Sequence, residues 1–149
     1  MSKRLGVVMI VLFVLALSSV VSAAEQKESL AGNGGYIVEP AHETGFGVMS
    51  IQTITASITQ GVTNWHYKTV SSFITTLNVD LNWGNPANSL QLTIYSPDGY
   101  IFGPYSDSYD GSLNGRINLN IINSNGIAQG TWRYAIYGAR VTGTQYYSI

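Results

Sequence analysis

Leu77-Asn78-Val79-Asp80-Leu81-Asn82-Trp83 alternates apolar and polar residues without a break. After the stop at Gly84-Asn85-Pro86, Leu90-Gln91-Leu92-Thr93-Ile94-Tyr95 repeats the rhythm. Period-two alternation sends one set of side chains to a buried face and the other to water, the mark of a half-buried strand. Proline cannot donate to a strand ladder and pushes the residue before it out of helical geometry, so the two runs are separate strands. Downstream, Ile117-Leu119-Ile121 and Trp132-Tyr134-Ile136 keep the same phase, and upstream so do Trp65-Tyr67-Thr69. Trp65, Trp83 and Trp132 are accordingly expected on core faces. Ser96-Pro97-Asp98-Gly99 and Asn123-Ser124-Asn125-Gly126 are strong turn signals.

Residues 100–115, rich in Tyr, Ser, Asp and Gly, read as the longest irregular stretch, and residues 138–143 divide the last two strands. Seven short strands between 54 and 149, with an eighth at Tyr36-Ile37-Val38, predict an all-β fold. No helical periodicity competes with it. The architecture expected is an antiparallel β-sandwich, jelly-roll-like, of about seven to eight strands.

The first residues carry a different signal. Lys3 and Arg4 precede an uncharged apolar run over 5–17, and small residues follow at Ser22, Ala23 and Ala24. That run suits the helical core of a secretory signal peptide and is short for a bilayer-spanning helix. Residues 1–24 are read as a signal peptide, with retention as an N-terminal anchor the alternative and the only route to the membrane. Residues 25–47 read as a linker or irregular lead-in, and 48–149 as the sandwich.

Only 10% of the residues are charged, against 45% apolar. Loss of the leader leaves five basic residues against eight acidic, a net charge of −3. The bases are scattered, which excludes a nucleic-acid footprint. The chain has no cysteine, so a secreted domain of this length must rest on its core alone. These features place the protein outside the cell or at its surface.

Taken in order, several segments resemble the bacterial and archaeal pre-peptidase C-terminal domain. They are Ala56-Ser57-Ile58-Thr59-Gln60-Gly61, the runs at 65–70 and 77–83, Leu90 through Gly99 with its Pro97-Asp98-Gly99 turn, Gly130-Thr131-Trp132-Arg133-Tyr134-Ala135-Ile136-Tyr137-Gly138, and 145–149. The resemblance covers about 95 residues. It implies a non-catalytic accessory module of the kind that follows secreted peptidases. Two departures stand out: Asn88-Ser89-Leu90-Gln91 replaces the acidic entry to the central strand, and the module is expected to be a stand-alone copy with no peptidase ahead of it.

Catalytic constellations are missing from the sequence. There is no Gly-x-Ser-x-Gly elbow and no His-Glu-x-x-His. His42, in Glu39-Pro40-Ala41-His42-Glu43, reads as part of a solvated acidic patch, and His66 reads as a residue of the polar face of its strand. No cofactor motif is present. Calcium is the one ion the chemistry admits, through Asp98, Asp107 and Asp110. Their spacing departs from an EF-hand loop and aspartate beside glycine is ordinary turn chemistry, which is the leading reading. Tyr100, Tyr105 and Tyr109 share that stretch and are the candidate binding residues, able to stack on sugar rings or anchor a protein. The expected function is recognition of a protein or polysaccharide at the cell surface. The alternative is a structural surface protein that self-associates through strand edges.

Overall fold

The computed structural model describes residues 34–41 and 54–149. The signal segment at 1–24, His42 and the start of strand patterning at Val48 lie outside the described residues. Nine strands run through the rest: β1 (Ile37–Pro40), β2 (Thr55–Thr59), β3 (Thr63–Val70), β4 (Thr76–Asn82), β5 (Ser89–Tyr95), β6 (Ile101–Ser106), β7 (Arg116–Ile122), β8 (Gly130–Arg140) and β9 (Thr144–Ser148). A single turn of 3-10 helix, Asp107–Asp110, follows β6. All pairings are antiparallel. One sheet has the order β1-β7-β4-β9-β2 and the other β3-β8-β5-β6. After β2 the chain changes sheet at every connection except the β5–β6 hairpin. The antiparallel β-sandwich expected from the alternation is therefore the fold.

The core lies where that alternation is strict. Leu77, Val79 and Leu81 of β4 and Ile117, Leu119 and Ile121 of β7 come from one sheet. Leu90, Leu92 and Ile94 of β5 and Trp132, Tyr134 and Ile136 of β8 come from the other, and all are buried. Trp83 is buried as expected, just past β4. Its indole N–H donates to the carbonyls of Asn85 and Asn88 at 3.0 and 3.1 Å. Asn88 in turn donates to Gln145 Oε1 at 2.7 Å, and Gln145 donates back to the Trp83 carbonyl at 3.0 Å. This satisfied amide network ties the β4–β5 connection to β9, and a satisfied buried network stabilises where a half-satisfied one would not.

Two segments differ from the sequence reading. In β3 the faces are exchanged: Trp65 and Tyr67 are 44% and 60% exposed, while Asn64, His66 and Lys68 turn inward. The cause is position, because β3 is the edge of its sheet, where the inner face meets the sandwich rim and tolerates polar groups. Since the side-chain period is two, either phase is available to a strand, and tertiary context selects one.

Residues 100–115 contain a strand, β6, that alternation conceals. A register shift between Leu92 and Ile94 pairs Leu92 with Tyr105 and Ile94 with Phe102. Phe102 and Tyr105, three apart, both point into the core, as a bulge requires. Gly103 sits at the irregularity with φ +97°, and a β-carbon there would lie 2.7 Å from the Leu92 carbonyl oxygen. Pro104 follows it, tolerable because β6 is also an edge. The short strand expected at Tyr36-Ile37-Val38 is present as β1, which pairs Ile37 through Pro40 with Ile122 through Leu119.

Candidate functional site

The tyrosines expected to face a ligand are packing residues. Tyr105 is 9% exposed and meets Tyr109 edge-on at 4.5 Å. The Tyr109 hydroxyl donates to the Val38 carbonyl at 3.0 Å, which fastens β1 to the 3-10 turn. Tyr100 is half-buried and packs edge-on against Tyr36 at 5.5 Å. Tyr36 stands at the centre of this aromatic corner, edge-on to Phe102 and Trp132 as well.

The three aspartates are used separately. Asp98 accepts the Tyr36 hydroxyl at 2.9 Å, and the same hydroxyl accepts the Ala128 N–H at 3.2 Å. Burial, followed by the bond to Asp98, pushes the Tyr36 phenol up from 10.0 to about 12. Asp107 is buried and accepts main-chain N–H groups of Asn114, Gly115 and Arg116. Asp110 accepts the Ser112 N–H at 2.9 Å. Among the described residues no three His, Cys, Asp or Glu side chains gather where they could hold a metal ion.

His66, expected on the polar face, lies on the inner side of β3. Its Nε2 is 2.7 Å from the Tyr147 hydroxyl, which also accepts from Asn64 at 2.9 Å. Desolvation holds the imidazole below its ordinary range. The neutral ring can then accept the tyrosine proton at Nε2. Nearby, β4 meets β9 only at Asn82 with Ser148. A cavity of about 470 Å³ includes His66, Lys68, Tyr134, Asn78 and Asp80 in its lining. Asp80 there is already held by Arg116, whose Nε and Nη2 reach its two oxygens at 2.7 and 2.8 Å.

The outer faces of the two sheets differ in chemistry. On the five-stranded sheet, Asn78 donates to Asn118 and Asn120 at 2.9 and 3.0 Å, a self-satisfied amide ladder. On the four-stranded sheet, aromatic rings stand outward. Register places Trp65 beside Ala135, and Tyr67 and Tyr95 on either side of Arg133. Tyr137, next along β8, is 40% exposed. Trp65 and Tyr95 approach to 5.5 Å across β8, and Ala135 between them is buried at 9% although it faces outward. The Arg133 guanidinium carbon lies 5.8 Å from the Trp65 ring centre and 5.2 Å from that of Tyr95, within cation–π range.

The result is a broad, shallow platform of three tyrosines, one tryptophan and one arginine, built on paired strands. Strand backbones hold such rings in fixed rows, about 4.8 Å apart between strands. The sequence reading missed this platform because it placed Trp65 and Tyr67 inside. One signal was available: they share their phase with Thr63 and Thr69, and Thr131 flanks Arg133 in the same way. Threonine marks the solvated side of a strand better than an aromatic ring marks the buried one.

No protein-family profile matches the chain. An uncharacterized protein of Archaeoglobus fulgidus is 47% identical over 51 residues, covering 34% of this chain and 71% of that protein.

Proposed function

We propose that this chain, which belongs to one family with the Archaeoglobus fulgidus protein, is an exported, non-catalytic module that binds polysaccharide. The platform of Trp65, Tyr67, Tyr95 and Tyr137 around Arg133 is the observation that carries the reading. Rings on a rigid sheet cost little conformational entropy to present, and their faces suit the apolar C–H faces of sugar rings. A shallow surface of this kind suits an extended chain better than a small molecule, which needs a pocket that buries most of its surface.

The accessory role draws support from the resemblance to the pre-peptidase C-terminal domain, and export from the basic, apolar and small-residue order of 1–24. The non-catalytic part is supported by the side chains that could do acid–base work. His66 is engaged with Tyr147, Asp80 with Arg116, and Asp107 with main-chain donors. Self-association through strand edges is disfavoured by Lys68. It points inward on the edge strand β3, a placement that opposes edge-to-edge pairing.

The test is affinity electrophoresis of residues 25–149 in gels containing a panel of soluble neutral and acidic polysaccharides. Retardation by at least one polymer, abolished in Trp65→Ala and Tyr67→Ala variants with unchanged circular dichroism, is expected. Free migration through every polymer, or retardation that survives both substitutions, overturns the reading.

A further inference from the structure

The charge pattern of the platform narrows its ligand. Among the described residues, the outward positions of β3, β8 and β5 hold threonine, serine, glutamine, alanine and aromatic residues, with Arg133 among the rings, Arg140 at the end of β8 opposite Ser89, and no acid. Arg133 is exposed, and no hydrogen bond or ion pair engages its guanidinium among the described residues. Arg116 shows the other state of the same group, its fork filled by the two oxygens of Asp80.

We infer that the polysaccharide is acidic, and that Arg133 reads a sugar carboxylate while the neighbouring rings stack on the sugar chain. The inference rests on the polysaccharide reading above and names its substrate class. The Trp65 and Tyr95 rings flank the guanidinium, which limits its movement and leaves its N–H fork for a ligand. A planar fork matches a planar carboxylate with two parallel hydrogen bonds, which an ammonium group cannot reproduce. Flanking rings also reduce competition from water, so the pair is stronger than at an open surface site.

A second copy of the chain is a poorer occupant. A two-fold contact through this face would bring each Arg133 toward its twin, with no acid on either face to separate them. A uronate polymer provides at each repeat what the face lacks, a negative charge beside a ring.

The experiment compares polygalacturonate, the same polymer fully methyl-esterified, a sulfated galactan and a neutral glucan by isothermal titration against residues 25–149. Esterification removes the charge and keeps the rings. Polygalacturonate is expected to bind at least about tenfold more tightly than its ester, since a charge-assisted hydrogen bond contributes more than about 1.4 kcal/mol. That advantage should shrink with added salt, vanish in Arg133→Gln, and fall partway in Arg133→Lys, which keeps charge without the fork. Equal binding of polygalacturonate and ester overturns the acidic assignment and leaves the polysaccharide reading standing. Preference for the sulfated galactan overturns the carboxylate assignment, as does an unchanged preference in Arg133→Gln. If Arg133→Gln is unfolded, Arg133→Lys and the salt dependence of the unaltered protein decide the matter. Binding of none of the four polymers overturns both readings.

Discussion

Asp107 turns both carboxylate oxygens to one main-chain group, the N–H of Gly115, at 3.1 and 3.0 Å. One oxygen also accepts from Asn114 and Arg116 at 3.2 and 3.1 Å. The side chain thus organises the connection between the 3-10 turn and β7. Asp107→Ala leaves these donors without their acceptor and should cost about 1–3 kcal/mol, read as a lower urea midpoint with unchanged slope. With its oxygens committed in this way, and Asp98 and Asp110 engaged elsewhere, the melting temperature should not move in about 10 mM calcium, well above the range of weak extracellular sites.

The exchange of faces in β3 has its own measurement. Trp132→Ala removes a fully buried indole from the core and should cost about 3–5 kcal/mol. Trp65→Ala removes an exposed ring whose contacts are Tyr95 and Arg133, and should cost about 1 kcal/mol. Comparable losses in the two variants would return Trp65 to the core.

The amide network behind Trp83 should respond more strongly than its size suggests. Gln145→Ala leaves Asn88 without its acceptor and the Trp83 carbonyl without a donor, for a loss of about 1–3 kcal/mol. Trp83→Ala should cost about 3–5 kcal/mol through the cavity it leaves. Because the two side chains share partners, the double variant should lose less than the sum.

Stability should form a plateau bounded by two titrations. His66 has a folded pKa below its ordinary 6.5, so the unfolded chain binds the proton first and stability falls as pH drops below about 6.5. His66→Gln should flatten that acid limb. Tyr36 is raised from 10.0 to about 12, so the unfolded chain loses its proton first and stability falls as pH rises across that interval. Burial raises Tyr134 and Tyr147 as well, so Tyr36→Phe should reduce the alkaline limb without removing it. Urea midpoints between pH 5 and 11 would show both limbs.

Which parts of the molecule were legible in sequence follows from where each strand sits. β4, β5, β7 and β8 have partners on both sides, and their buried faces are unbroken runs such as Leu77-Val79-Leu81 and Leu90-Leu92-Ile94. Edges follow weaker rules. β3 could place its rings outward because a rim needs less apolar surface, and β6 hid behind a bulge that breaks the period. The candidate residues fell on residues 98–110 because Tyr, Asp and Gly together resemble a binding loop. There the aspartates serve as acceptors for local donors, and the tyrosines fill a corner around Tyr36 and β1. Composition alone does not separate a loop that binds from one that braces. The platform residues were visible one by one, but their proximity depends on a register joining 65, 95 and 133, which is a property of the fold.

The order of strands in the five-stranded sheet also governs how the chain reaches its native state. β2 pairs with β9, so Thr55 through Thr59 must wait for Thr144 through Ser148, and β1 must wait for β7. Among the described strands only β5 and β6 close as a hairpin between sequence neighbours. Loop-closure entropy must be overcome before such distant pairings repay it, which places folding in the millisecond-to-second range of all-β sandwiches. During synthesis, at about 5–20 residues per second, β2 stays an open template for several seconds before its partner emerges. The nascent chain therefore spends that interval with the β2 edge of its larger sheet incomplete, and its vulnerability to aggregation lies there, before the first native molecule exists.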